Sequence, residues 1–197
     1  MTEPTSLLRS FVAVPLPGAV QTEIAEVARR LARELPGVKW SKKPENFHVT
    51  LKFLGAVAAE RLAALREALT PALADVQGFE LEMRGFGAFP ADQEATVLFA
   101  GVEDGRGRLE RLAATVEAVA IHLGWEADER RFTGHVTVGR SKEGIDVRAP
   151  MQPLTARAFG AVAVEEVHVY ESQLSPLPNE PSTYVLRHRV LLGARAN

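Results

Sequence analysis

The chain has 197 residues, 46% hydrophobic and 24% charged, with a formal net charge of −2 and no cysteine. That composition supports a substantial core and excludes disulfides, thiolate nucleophiles and cysteine-held metals. The near-balanced charge rules out a uniformly basic, nucleic-acid-coating surface, so any contact with nucleic acid is expected to be local.

A first strand is expected over 8–14, closed by Pro15 and Pro17. A helix follows over about 19–35, because Val20, Ile24, Val27, Leu31 and Leu35 recur at three- and four-residue steps; Pro36 and Gly37 stop it. The next strand begins at His48 and ends at Leu54 and Gly55. Residues 58–74 read as a helix with Leu62, Leu65 and Leu69 on one face, and 79–83 and 95–102 as strands. A third helix spans 107–123, and a strand runs from His135 to Arg140. Residues 143–150 are turn-rich; 162–173 and 184–192 form the closing strands, with Pro176, Pro178 and Pro181 between them. No run approaches the roughly 18 apolar residues of a membrane span. The N-terminal MTEPTSLLRSFVAVPLPG lacks a signal peptide's basic n-region and long apolar h-region. A soluble, cytoplasmic protein is the expectation.

One short pattern occurs twice: His48-Val49-Thr50-Leu51 and His135-Val136-Thr137-Val138, 87 positions apart. The same shift carries Phe11 onto Leu98, Gly37 onto Gly124, Lys43 onto Arg130 and Leu81 onto His168, so the order of elements repeats. A duplicated β-α-β lobe follows, with the two His strands related by a pseudo-two-fold axis. Side chains at i and i+2 of a strand share a face. Two imidazoles and two hydroxyls therefore converge if the strands meet.

That grouping suits in-line cleavage of a phosphate ester. A base takes a proton from the attacking oxygen and an acid gives one to the departing oxygen; imidazole does both near neutral pH. The threonine hydroxyls can hold the non-bridging oxygens. A single His-x-Thr carries little weight, but two copies at equivalent places in a repeat carry much more. No metal or cofactor is expected, because a zinc site needs three or four ligands, and His122, His168 and His188 show no ligand spacing.

The segments LRSFVAVPLP, KPENFHVTLKFLG, FTGHVTVGR and VYESQLSPLPNEPSTYVL resemble, in order and distance, those of the RNA 2′,3′-cyclic phosphodiesterase (2′-5′ RNA ligase) family of the two-histidine phosphoesterase superfamily. The likeness spans almost the whole chain. It implies an α+β fold in which two lobes with antiparallel sheets flank a central cleft, all within one bilobal domain over residues 1–197. It implies His48 as general acid, His135 as general base, and Thr50 and Thr137 as phosphate-binding residues. The implied reaction opens a terminal RNA 2′,3′-cyclic phosphate to a 2′-phosphomonoester, with weak reverse 2′-5′ ligation.

Other residues are candidates for substrate contact. Lys52 continues the face of His48 and Thr50, and so either reaches a phosphate or is solvated. Arg140 lies at odd spacing from His135, which turns it towards a structural ion pair unless Gly139 bulges the strand. Lys42, Lys43, Arg130 and Arg131 precede the catalytic strands and could hold RNA phosphates or simply face water. Phe47, Tyr170, Trp40 and Phe11 could stack a base or sit in the core. His122, His168 and His188 read as structural. A cyclic phosphodiesterase for small nucleotides and a non-catalytic RNA-end-binding module are the rival functions. A monomer is expected.

Overall fold

The computed structural model describes residues 7–175 and 181–194, so Pro176 and Pro178 lie outside the described residues. The first apolar run forms β1 (Leu8–Pro15), buried continuously from Ser10 to Val14, and α1 (Gly18–Glu34) turns Val20, Ile24 and Leu31 inward. A two-residue strand β2 (Lys39–Trp40) and a 3-10 turn over Pro44–Asn46 lead into β3 (His48–Val57). Next come α2 (Ala59–Ala74), β4 (Phe79–Phe89), β5 (Ala95–Glu103) and α3 (Arg108–His122). The chain closes with β6 (His135–Ile145), the short α4 (Arg148–Met151), β7 (Ala158–Val164), β8 (Glu166–Gln173) and β9 (Thr183–Leu191).

The strands form two antiparallel sheets, ordered β3-β1-β8-β9 and β2-β6-β5-β4-β7. Helices α2 and α3 pack together over the first sheet, and α1 packs against β7 and β6 of the second. Their inward rows, Leu62, Leu65, Leu69 and Leu73 of α2 and Leu109, Leu112 and Val116 of α3, are buried. Each such leucine contributes roughly 1.5–3 kcal/mol of burial free energy.

The 87-residue shift maps β1 onto β5, α1 onto α3, β3 onto β6 and β4 onto β8. The order β3-β1-β8-β9 is thereby matched by β6-β5-β4-β7, with β2 as an added edge. Because β4 joins the sheet of the second half and β8 that of the first, the two halves are intertwined rather than side by side.

Three expectations about strands differ from the structure; in one, the strand expected to end at Arg140 runs on to Ile145, into the segment read as turn-rich. The single strand over 162–173 is two strands in different sheets, β7 and β8. Buried residues fall at Val162 and Val164, then at Val167 and Val169. A step of three where the pleat demands two marks the crossing. Strand β4 runs on to Phe89, beyond the alternating segment, through Gly85 and Gly87. At Gly87 a Cβ would stand 2.7 Å from the Phe99 ring, so the missing side chain lets that ring lie across the strand.

Candidate active site

The site is built by one irregularity that occurs twice. On β3, Val12 pairs with Lys52 and Ala13 with Thr50, which leaves Leu51 as an extra residue. On β6, Leu98 pairs with Gly139 and Phe99 with Thr137, which leaves Val138 extra. Leu51 and Val138 are equivalent under the repeat. Each bulge reverses which face the following residues occupy. Beyond it, Phe53 and Arg140, also repeat equivalents, join the face of the His-x-Thr pair. Both are exposed, Phe53 by 63%.

His48 is held from three sides. Its Nδ1–H donates to the Asn46 carbonyl at 2.6 Å, which leaves Nε2 facing the cleft, 3.1 Å from the Thr50 hydroxyl. Phe11 stacks beneath the ring at 4.6 Å, and Tyr184 meets it edge-on at 5.2 Å. A cavity of about 60 Å³, lined by Asn46, His48, Tyr170 and Tyr184 among others, lies beside it. Burial drives the His48 pKa down to about 4; the carbonyl bond opposes this, and the charge of His135 adds to it.

His135 repeats the arrangement. Its Nδ1–H donates to the Thr133 carbonyl at 2.7 Å, again two residues back in the chain. Phe89 meets the ring edge-on at 5.1 Å, and Phe99 lies at 5.4 Å. Burial lowers its pKa below the ordinary 6.5; the Thr133 carbonyl opposes the shift and the nearby Arg140 charge adds to it. Arg140 also acts on Tyr184, whose pKa is raised chiefly by burial. Arg140 is exposed on the same strand as His135. It makes no ion pair among the described residues, so the bulge, rather than regular pleating, decides its direction.

Lys52 is not on this face. The Leu51 bulge turns it into the fold, where its side chain is 2% exposed and its ammonium meets Glu117 at 2.7 Å, Asp128 at 2.9 Å and the Glu126 carbonyl at 2.8 Å. Burial works against that charge, but the two carboxylates outweigh it and hold the pKa above the usual lysine value. Phe47 is buried in the core and cannot stack a base. Phe11 is buried beneath His48. Trp40 packs over Gly139 on the core side, its indole donating to the Leu35 carbonyl.

Lys43 donates to the Thr183 hydroxyl at 3.1 Å and so ties the segment before His48 to β9. Arg130 and Lys42 are exposed, and Arg131 pairs with Glu110 on the surface. Tyr170 lies on the site face, 5.4 Å from Phe11. Its hydroxyl is engaged by His168 at 2.7 Å, and the other nitrogen of His168 bonds Glu166 at 2.8 Å. His168 is therefore partnered on both sides, in keeping with a structural role. Sequence reasoning passed over Phe89 and Phe99, which meet the His135 ring, and Phe53, which lies near Phe11. The signal for Phe53 was the 87-residue shift, which pairs it with Arg140. Among the described residues no three His, Asp or Glu side chains form a metal-binding group.

Residues 14–99 and 100–178 each match the family profile described as LigT like Phosphoesterase, one copy for each half of the repeat. The chain is 36% identical over 172 residues to an RNA 2′,3′-cyclic phosphodiesterase of Archaeoglobus fulgidus, covering 86% of this chain and 93% of that one. It is 30% identical to the protein of that name from Geobacillus stearothermophilus, over 85% of this chain but only 53% of the relative. A crystal structure from Thermus thermophilus superposes with a TM-score of 0.74 at 28% identity, covering 95% of this chain and 100% of the other.

Proposed function

Because the chain belongs to the LigT-like phosphoesterase family, we propose that it opens the 2′,3′-cyclic phosphate at an RNA end to a 2′-phosphomonoester. The relatives' names support the substrate class. The reading is supported by the pair of imidazoles, each with Nδ1 tied to the carbonyl two residues back, on strands β3 and β6 that lie in contact with each other.

His135 Nε2 takes a proton from water, whose oxygen bonds to phosphorus as the bond from phosphorus to O3′ breaks. His48 Nε2–H gives its proton to O3′, leaving a 3′-hydroxyl and a 2′-phosphate. The lowered His48 pKa makes its protonated form a stronger donor, and the lowered His135 pKa keeps that ring neutral and able to accept a proton near pH 7. The bound phosphate's negative charge favours the protonated His48 that the empty cleft disfavours. Once His48 is protonated, the Thr50 hydroxyl no longer donates to its Nε2 and is free to donate to a phosphate oxygen. Thr137 does the same from the opposite lobe, and Arg140 offsets the charge on the non-bridging oxygens. No step passes through a metal. Run backwards, with a ribose 5′-hydroxyl in place of water, the same groups form a 2′-5′ linkage.

The test is product analysis with an oligonucleotide of defined sequence ending in a cyclic phosphate. A 2′-monoester is expected, and His48→Ala and His135→Ala should each lower kcat by roughly 10²–10⁴-fold. A 3′-monoester would reverse the bond assignment, and full activity in either variant would refute the mechanism.

A further inference from the structure

Glu166, His168 and Tyr170 share one face of β8, and their side chains form a chain of hydrogen bonds. Glu166 Oε1 meets His168 Nε2 at 2.8 Å, and His168 Nδ1 meets the Tyr170 hydroxyl at 2.7 Å. The other Glu166 oxygen pairs with Arg189 at 3.3 Å. A carboxylate only accepts, so Nε2 carries the ring proton. In the neutral ring Nδ1 is then bare, and the Tyr170 O–H donates to it. Burial and the Glu166 charge hold the Tyr170 pKa above the ordinary phenol value, against the opposing charge of Arg189, so the phenol keeps that proton. The chain thus uses the hydroxyl's one donor and leaves its oxygen as an acceptor.

Tyr170 lines the cavity of about 60 Å³ beside His48, and the two rings lie 6.3 Å apart. Among the described residues the side-chain donors of that wall are already engaged. The Gln21 amide nitrogen is on the Glu45 and Phe47 carbonyls, that of Asn46 is on the Ser182 carbonyl, and His48 Nδ1–H is on the Asn46 carbonyl. The Glu45 carboxylate only accepts, and the Tyr184 hydroxyl turns either way. A hollow rich in acceptors takes a donor. At an RNA end closed by a cyclic phosphate the 2′, 3′ and 5′ oxygens of the last ribose are all esterified. The hydrogen-bond donors of that nucleotide are therefore all on its base.

We propose that this cavity reads the terminal base: the Tyr170 oxygen, its polarity set by His168 and Glu166, accepts from an exocyclic amino group, which favours cytosine over uracil. Uracil presents a carbonyl oxygen at the same ring position, acceptor against acceptor. This rests on the phosphodiesterase reading above. The ladder supplies the reach. Ala13 pairs with Thr50 on one side and His168 on the other, which sets His168 two strand spacings, about 10 Å, from Thr50. A nucleotide spans a similar length from its phosphorus to the far edge of its base. The cavity is too small for a whole base and admits only that edge.

A purely structural hydrogen-bond chain would leave base preference unmoved. Two oligonucleotides of one sequence, differing only in a terminal cytidine or uridine 2′,3′-cyclic phosphate, are compared by kcat/KM at pH 7.5. Wild type should favour the cytidine end roughly tenfold, the difference between a hydrogen bond made and an acceptor left unpaired. Tyr170→Phe removes the acceptor and should bring the ratio to within about twofold of one. Glu166→Gln keeps Tyr170 but lets an amide nitrogen donate to His168 Nε2. The ring proton then moves to Nδ1 and the Tyr170 proton turns to the cavity, so the ratio should fall to about one or below. Both substitutions keep the shape of the side chain, and thermal unfolding of each variant confirms that it is folded.

Equal rates on the two ends in wild type, a preference for uridine, or a cytidine preference that survives in Tyr170→Phe overturns the base-reading subsite and leaves the phosphodiesterase reading standing. A preference lost in Tyr170→Phe but kept in Glu166→Gln overturns the part assigned to Glu166 and His168. Failure of wild type to open either end overturns both the subsite and the reading beneath it.

Discussion

Replacing Lys52 by methionine keeps the length of the buried stem and removes only the ammonium. In the wild type that ammonium has three acceptors, Glu117, Asp128 and the Glu126 carbonyl, within 2.9 Å. Breaking a buried ion pair from one side typically costs about 3–5 kcal/mol. Here the orphaned carboxylates are 23% and 52% exposed, so water recovers part of the loss. The expected destabilisation at pH 7 is therefore about 2–3 kcal/mol, or a melting point roughly 4–12 °C lower for a chain of this size.

Urea unfolding at pH 7 gives the free energy, and a pH series tests its origin. The folded-state pKa of Lys52 is raised, so its contribution is fully present below the unfolded value of 10.5 and fades as pH climbs through the higher folded value. The gap between wild type and Lys52→Met should stay constant from pH 6 to about 9 and narrow only in strong alkali. A variant as stable as wild type at pH 7 would refute the view that this charge cluster clamps β3 to the segment leading to His135.

Three further outcomes are expected. Both histidine pKa values are depressed in the free cleft, that of His48 to about 4, so the form with one ring protonated belongs to the acid side of the ordinary imidazole value. The pH profile of kcat/KM, which reports the free enzyme, should be a bell peaking on the acid side of 6.5, and a maximum above about 7.5 would contradict the assignment. Thr50→Val and Thr137→Val should each lower kcat by roughly tenfold or more while shifting stability by less than about 1 kcal/mol, measured by steady-state kinetics beside thermal unfolding. Dialysis against a chelator should leave the rate on a cyclic-phosphate oligonucleotide unchanged; loss of activity restored by zinc would show that the imidazoles do not work alone.

Much of the architecture was legible because apolar spacing is a local property. The rows on α1, α2 and α3 and the alternation at the start of β3 and β6 are direct consequences of 3.6- and 2-residue periods. The 87-residue repeat also reached beyond local structure and brought the two histidine strands into one account. Lys52 was misread because strict alternation was carried past Leu51, where β3 gains an extra residue and the lysine turns inward. The same event at Val138 turned Arg140 outward. Bulges depend on pairing with a neighbouring strand, and one strand's sequence carries only a faint trace of them, two consecutive residues that both suit the core. Phe47 and Phe11 show a related limit, since composition does not say which aromatic ring supports a site and which lies open to a ligand. The partnering of His168 by Glu166 and Tyr170 follows the i, i+2 rule and could have been read directly, as all three lie on one face of β8.

The most direct test of the central claim is a nitrogen-15 NMR titration of the imidazole nitrogens of His48 and His135 with adenosine 2′-monophosphate. One phosphate gripped from two sides should raise both pKa values together, with a single dissociation constant and one ligand per chain. Movement of only one ring, or of the two with different dissociation constants, would show that the histidines do not share a phosphorus.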